Sequence, residues 1–413
     1  MSVAGEDIAE AFREHHGTVL ARLIRLTGDF DVAEDAVQQS FAIALTAWPR
    51  DGVPRNTQAW IMTAARNRAI DQLRYSRRFL PPGAADSALE NLEAAANEPL
   101  DTHLPDDRLR LIFTCCHTAL APEARVALTL HTLCGLTTEQ IARAFLLPLP
   151  TLAQRLVRAK KKIRDAAIPY RVPPAELLPE RLDSVLAVIY LVFNEGYLGA
   201  SGDVVIRTEL CDEAIRLARL LAALLPTESE ARALLALMLL QDARRPARVS
   251  SDGDIVLLED QDRTLWDGAR IEEGLALVEN ALRESGARPY ALQAAIAALH
   301  AQARTAGETD WRQIMGLYAV MVRLYPSPVV ELNYAAAVSI VDGPQAALRL
   351  IDALDARGTL RGYQWLYSAR ADCLRRLGRN AEAAAAYQQA LDCGVSDPER
   401  RFLLKRLAEC TTT

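Results

Sequence analysis

The sequence predicts an all-α chain: two small helical domains joined by a linker, then a larger helical part that reads as an α-solenoid. Three observations carry that prediction. Stretches such as AEDAVQQSFAIALTAW (33–48) and RPYALQAAIAALHAQA (288–303) are rich in Ala, Leu, Glu and Gln, with apolar residues at helical spacing. Convincing strand alternation is missing; the one ambiguous run is 254–258, Asp-Ile-Val-Leu-Leu, a short strand or a packed loop. Between 79 and 106 the chain carries Pro81-Pro82-Gly83, then alanines and acids, then Pro99 and Pro105, which reads as an extended linker with room for one short helical turn.

A chain of 413 residues exceeds one ordinary core. The boundaries fall at residues 1–78, the linker 79–106, residues 107–170, and a larger part at 175–413, beyond Pro173-Pro174. Half the residues are hydrophobic and 24% are charged, a globular composition and not a disordered one. No apolar run approaches the roughly 20 residues that span a bilayer. The N-terminus, MSVAGEDIAEAFREHH, is too polar and acidic for a signal peptide. Seven cysteines without a CxxC suit reduced thiols, so a cytoplasmic protein is expected.

The net charge of −6 hides a segregation. Residues 143–164 hold seven cations and no acid, residues 84–107 hold seven acids and no Lys or Arg, and residues 66–78 hold five arginines against one aspartate. Two basic patches flank an acidic connector. The first patch to decode is LTTEQIARAFLLPLPTLAQRLVRAKKKIR (136–164). Thr137 followed by Gln140 is a capping box that starts a helix over about 138–146; Pro148 and Pro150 interrupt it, and a second helix starts near Thr151. On that helix Leu152, Leu156, Ala159 and Ile163 share one face, while Thr151, Gln154, Arg155 and Arg158 share the other. This is a helix-turn-helix pattern. Its second helix would enter a DNA major groove, with the leading residues at base edges and Lys160, Lys161 and Lys162 near phosphates. A solvated basic face is the plain alternative. A membrane-surface helix lacks the aromatic anchors it would need.

The second patch, WIMTAARNRAIDQLRYSRR (60–78), reads as an amphipathic helix. Trp60, Ile61, Ala64, Ala65, Ile70 and Leu73 can pack inward, leaving Asn67, Asp71, Arg74, Arg77 and Arg78 outward or at the edge. Just before it lies an acidic, amide-rich helix ending in Trp48. This order resembles the RNA polymerase sigma factors of the extracytoplasmic-function (ECF) type over about residues 10–168. The resemblance implies that the AEDAVQQSF helix docks on the polymerase β′ clamp, with Asp35, Gln38 and Gln39 as candidate contacts. It implies that the W…ARNRAIDQLR helix opens the −10 element, with Arg66, Asn67, Asp71, Arg74 and Arg77 facing DNA. The loop before it, 49–57, would help capture a flipped base. The helix-turn-helix would read the −35 element through Thr151, Gln154, Arg155, Arg158, Lys161 and Lys162. The acidic linker would occupy the channel that later carries RNA. Trp48 and Trp60 read as core rather than stacking platforms.

Enzymatic chemistry finds no support in the sequence, which lacks a Gly-rich phosphate loop and a Gly-x-Ser-x-Gly, and no cofactor is expected. Cys115, Cys116, His117, His131 and Cys134 tempt towards a metal site. Adjacent cysteines on a helix diverge by about 100°, however, so buried thiols beside the helix-turn-helix are expected and no metal. Beyond residue 175, Ala383, Tyr387 and Ala390 stand at the offsets of the second helix of a tetratricopeptide repeat. Weaker echoes occur at Gly274/Val278/Ala281, Ala347/Ile351/Leu354 and Ala214/Ala218/Leu221, so a degenerate TPR-like solenoid or a compact bundle both fit. YLVFNEGYLGASG (190–202) and LLEDQDRTLWD (257–267) resemble segments of a sigma-factor subgroup with such an extension. They make Asn194, Glu195, Tyr197, Asp260, Gln261 and Asp262 candidates for a groove, an interdomain contact or the support of irregular turns.

Three functions compete at this point. The first is a promoter-specificity subunit that binds core RNA polymerase and promoter DNA, regulated by its helical extension through an intramolecular or protein partner. The second is a helix-turn-helix regulator with a repeat sensor, acting without polymerase. The third is a repeat scaffold with incidental basic helices.

Overall fold

The computed structural model describes residues 3–76, 86–95, 104–145, 147–198, 204–250, 254–285, 287–395 and 397–411. These form two compact units, Met1–Glu195 and Gly196–Thr413. Among the described residues there is no strand; the ambiguous run at 254–258 contributes a single antiparallel bridge, Val249 to Ile255.

The first unit holds nine helices among its described residues: α1 (Val3–Thr27), α2 (Phe30–Asp51), α3 (Thr57–Ser76), α4 (Asp86–Ala94), α5 (Leu104–Cys115), α6 (Pro122–Thr132), α7 (Thr138–Ala144), α8 (Leu149–Asp165) and α9 (Leu178–Leu198). Local chemistry sets their ends. Asp29 caps α2, its Oδ1 accepting from the Asp31 N–H (2.8 Å) and the Val32 N–H (3.2 Å). The helix then continues through Pro49 to Asp51, so the loop expected at 49–57 is shorter. A proline in the last turn forfeits one intrahelical bond, and Gly52, at φ +87°, closes the helix by donating to the Trp48 carbonyl. Asn56 starts α3 by accepting from the Ala59 N–H at 2.9 Å.

On α3, Ile61, Ala65 and Leu73 are buried as expected, joined by Met62 and Ala69, whereas Trp60, Ala64 and Ile70 are half-buried. The linker carries more structure than one turn. Ala88, Leu89 and Leu92 make a short apolar stripe on α4 that packs against α1 and α3. In α7 and α8 the helix-turn-helix forms as read. Thr137 Oγ1 accepts from the Gln140 N–H (3.2 Å), Gln140 Oε1 accepts from the Thr137 N–H (2.8 Å), and Leu152, Leu156, Ala159 and Ile163 are buried.

The second unit runs α10 (Val204–Leu224), α11 (Ser229–Asp242), α12 (Gly268–Ser285), α13 (Pro289–Gln302), α14 (Trp311–Leu324), α15 (Pro328–Val341), α16 (Pro344–Ala356), α17 (Gln364–Arg376), α18 (Asn380–Leu391) and α19 (Asp397–Thr411). Each helix packs on its sequence neighbours. Ala383, Tyr387 and Ala390 are buried, as are Val278, Ala281, Ala347, Ile351, Leu354, Ala214, Ala218 and Leu221. Gly274 permits one close crossing: a Cβ there would sit 2.7 Å from Leu240 Cγ, so any larger residue would push α12 off α11.

Candidate nucleic-acid interface

The outer face of α3 is polar and open. Asn67, Asp71 and Arg74 are exposed and Arg66 is half-buried, while Arg77 and Arg78 lie outside the described residues. Arg74 is already engaged: its Nη2 donates to Glu93 Oε1 of α4 at 2.8 Å. The acidic connector thus offers a carboxylate to the basic helix. Both side chains are more than half exposed, so the pair is weak and exchangeable. Behind this face Trp48 is buried and meets the half-buried Trp60 edge-on, with ring centroids 5.6 Å apart. Trp48, so buried, offers no face for stacking a base.

On α8 the four buried apolar residues leave Thr151, Gln154, Arg158, Lys161 and Lys162 exposed. Arg155 is half-buried and lines a cavity of about 250 Å³ with Glu123, Leu191 and Glu195. The neighbour responsible is α9. Arg181 donates to the Phe113 carbonyl (2.7 Å), Ser184 to the Cys116 carbonyl (2.9 Å), and Arg125 to Ser184 Oγ (2.7 Å). The first helix of the extension is therefore bonded to the domain that carries the helix-turn-helix.

The contact that sequence reading missed joins α8 to α2. Lys160 donates to the Glu34 carboxylate and to Asp31 Oδ1 (3.2 Å), and Arg164 lies 3.9 Å from Asp31. His131 Nε2 sits 3.7 Å from the same Glu34 carboxylate. Burial alone would raise the Glu34 pKa; His131 and Lys160 outweigh it, and the carboxyl is held below its usual range. Lys160 is held above its usual range, because Glu34 and Asp31 outweigh the effect of burial. A second tie lies nearby: Arg25 of α1 pairs with the buried Asp107 of α5 at 2.9 Å, and the Tyr170 hydroxyl donates to the Ala21 carbonyl at 2.7 Å. Gly17 has no room for a side chain, since a Cβ would lie 2.8 Å from the Leu133 carbonyl oxygen. Of the clamp candidates, Asp35, Gln38 and Gln39 are all exposed; Gln38 borders this junction through a cavity shared with His131 and Thr137.

Residues 11–79 match the Sigma-70 region 2 family, and residues 110–163 match the family of Sigma-70, region 4. The ECF RNA polymerase sigma factor SigL of Mycobacterium tuberculosis is 30% identical over 165 residues, covering 38% of this chain and 87% of SigL. The chain belongs to the ECF RNA polymerase sigma factors. Region 2 of this sigma factor comprises α1–α3, and region 4 comprises α5–α8. A second relative, the probable ECF RNA polymerase sigma factor SigI of M. tuberculosis, is 28% identical over 173 residues, covering 41% of this chain and 59% of SigI. An uncharacterised protein of Rhizobium meliloti is 44% identical over 391 residues, 94% of this chain and 92% of that protein, so the similarity there includes the extension. Within the extension of the sigma factor, residues 181–282 match a family of unknown function (DUF6596). Sigma factors bind core RNA polymerase and promoter DNA, and the two exposed polar faces lie within the two matched regions.

Cys115, Cys116 and Cys134 are buried, and burial pushes the Cys116 thiol up to about 11. Among the extension candidates, Asp262 caps a short turn by accepting from the Thr264 N–H (2.9 Å), and Gln261 donates to the Val256 carbonyl (3.2 Å). Asp260 is exposed, and Asn194 and Glu195 are half-buried at the end of α9. Tyr197 accepts from Arg244 (2.7 Å) and lies under the Arg248 guanidinium, 3.6 Å from the ring centroid. No described helix is long and apolar enough to cross a membrane.

Proposed function

We propose that this chain directs core RNA polymerase to its promoters from the cytoplasm, with α8 reading the −35 element, α3 holding the melted −10 strand, and Asp35, Gln38 and Gln39 of α2 docking on the β′ clamp. The observation that carries the reading is the helix-turn-helix itself. A capping box sets α7, and an apolar stripe seats α8 with Thr151, Gln154, Arg158, Lys161 and Lys162 outward.

Its arrangement here is closed. The two elements lie about 25 base pairs apart, about 85 Å of duplex at 3.4 Å per step, whereas Lys160 of region 4 touches Glu34 of region 2. Binding both elements requires this contact to part. We take the closed form as the free state, in which the Lys160 and Arg74 cations are occupied by the chain's own carboxylates. Polymerase and promoter binding then compete with Glu34 and Glu93. The extension acts on this machinery by supplying α9 to region 4.

Two pairs of substitutions test the assignments. Asn67→Ala is expected to weaken strand opening at −10 while core binding stays near wild type. Arg74→Ala is expected to act through salt-dependent affinity, since a phosphate contact releases counterions. Permanganate footprinting on a cognate promoter reads both, and unchanged opening in both variants would remove α3 from the −10 role.

On α8, Arg155→Ala is expected to relax preference at one −35 position by about 1–3 kcal/mol, the worth of a bidentate contact to guanine. Lys161→Ala is expected to weaken all sequences alike and lower the salt slope by about one unit. A randomised −35 library separates them. An unchanged preference profile for Arg155→Ala would take that residue out of base reading.

A further inference from the structure

A cavity of about 770 Å³, within the range that small-molecule sites occupy, lies wholly within the second unit. Its apolar wall is built from Leu257 and Leu258 of the loop after α11, Trp311 at the start of α14, and Ala336 and Ile340 of α15. Ile340 is 47% exposed, an apolar side chain left open on that wall. The charged groups are three guanidiniums, Arg263, Arg375 and Arg376, against Glu259 and Asp372, and two of the guanidiniums are fixed by neutral partners. Arg263 donates to the carbonyls of His300 (2.7 Å) and Ala303 (2.6 Å) and to Thr309 Oγ1 (3.3 Å). Arg376, at the end of α17, donates to Ser339 Oγ (2.7 Å) and the Ser339 carbonyl (3.1 Å), with Asp372 no nearer than 4.0 Å.

The carboxylates on the wall do not balance these charges. Asp372 is committed to Arg375 at 2.6 Å, and Glu259 is exposed. His300 also lines the cavity; burial first, and then the nearby Arg244 and Arg263, lower its pKa to about 4. The imidazole stays neutral and stands edge-on to Trp311, at a centroid distance of 5.2 Å. Neutral carbonyls and hydroxyls orient a guanidinium without cancelling its charge. An incoming anion would therefore meet an already oriented cation at Arg263, which donates to no carboxylate among the described residues and feels Glu308 only through space.

We propose that this cavity is a binding site for a small organic anion with an apolar body, the anionic group meeting Arg263 and Arg376 and the body lying on Leu258, Trp311 and Ile340. The site would make the extension a receptor for such a molecule, independently of which promoters the chain serves.

The test uses the full chain and a defined probe, 8-anilinonaphthalene-1-sulfonate, compared with N-phenyl-1-naphthylamine, which has the same aromatic body and no charge. The expected result is saturable one-site fluorescence with the sulfonate, binding of the neutral analogue weaker by about tenfold or more, and displacement by octanoate but not by octylamine. Arg376→Gln should weaken the sulfonate by about tenfold. Ala336→Trp, a filling change at an exposed position, should abolish binding while circular dichroism and the melting temperature stay unchanged. Wild-type affinity in both variants, or equal competition by octylamine, would overturn the proposal.

Discussion

Lys160→Glu is expected to open the first unit. The wild-type ammonium sits between Glu34 and Asp31, and the Lys160 and Glu34 side chains are only 14% and 11% exposed. Reversing the charge leaves Glu34 buried against another carboxylate. Breaking a buried pair by altering one partner costs about 3–5 kcal/mol, a shift of roughly 10²- to 4,000-fold in the closed-to-open ratio. Energy transfer between labels at the exposed Thr46 and Lys162 reads the change as a longer separation. Adding Glu34→Lys should restore part of the closed population, since the pair is rebuilt with its sign exchanged while Asp31 still repels the new carboxylate.

Acid should act in the same direction. Glu34 is held below its usual value in the closed form, so its contribution is fully present above the open-state value of about 4.5 and is lost as pH falls through the depressed closed-state value. An unchanged separation in Lys160→Glu would mean that Arg25–Asp107 and the apolar contacts hold the unit closed without this pair.

The second large effect concerns where the extension begins. Pro173-Pro174 lies inside the first unit, whose boundary falls at Glu195. Cutting after Arg171 removes α9 and with it Arg181 and Ser184, which hold the Phe113 and Cys116 carbonyls. It also removes Val185, Leu186, Ile189, Val192 and Phe193, each almost wholly buried. If only two of these cover α5 and α6, about 3–6 kcal/mol of burial is lost. That is a large share of a domain's net stability of roughly 5–15 kcal/mol. The expected result is a lower melting temperature for the shortened chain and reduced promoter-dependent transcription. A chain cut after Glu195 should keep the region 4 fold. Comparing the two cuts at matched concentration separates the support given by α9 from regulation by the second unit. Full activity after the Arg171 cut would show that region 4 stands without α9.

Local signals in the sequence were legible because their partners are close along the chain. Thr137 and Gln140 are three residues apart, and the Leu152/Leu156/Ala159/Ile163 stripe follows from helical periodicity alone. The acidic and basic runs were equally plain, and so were the small-residue offsets around Tyr387. The partners of those charges were not. Lys160 and Glu34 are 126 residues apart, and nothing in a lysine within a basic run distinguishes the one that turns inward. Arg74 with Glu93 and Arg25 with Asp107 are hidden in the same way, since pairing across helices depends on how the helices pack. Periodicity also misjudged α3 slightly. Met62 and Ala69 enter the core where Trp60, Ala64 and Ile70 stay half out, on a helix that packs against both α1 and α2. The membership of α9 was hidden by two adjacent prolines, which mark a turn and do not by themselves mark a domain boundary.

Helices α8 and α3 are proposed to act on promoter DNA as parts of a polymerase subunit. Run-off transcription with purified core polymerase and the full chain, on a promoter selected from a randomised −35/−10 library, tests it most directly. The expected result is a transcript that starts at one position, needs both chain and core, and disappears when the −35 element is scrambled. Sequence-specific binding of the chain to duplex DNA, with no transcript from core polymerase on any selected site, would contradict it and leave a helix-turn-helix regulator in its place.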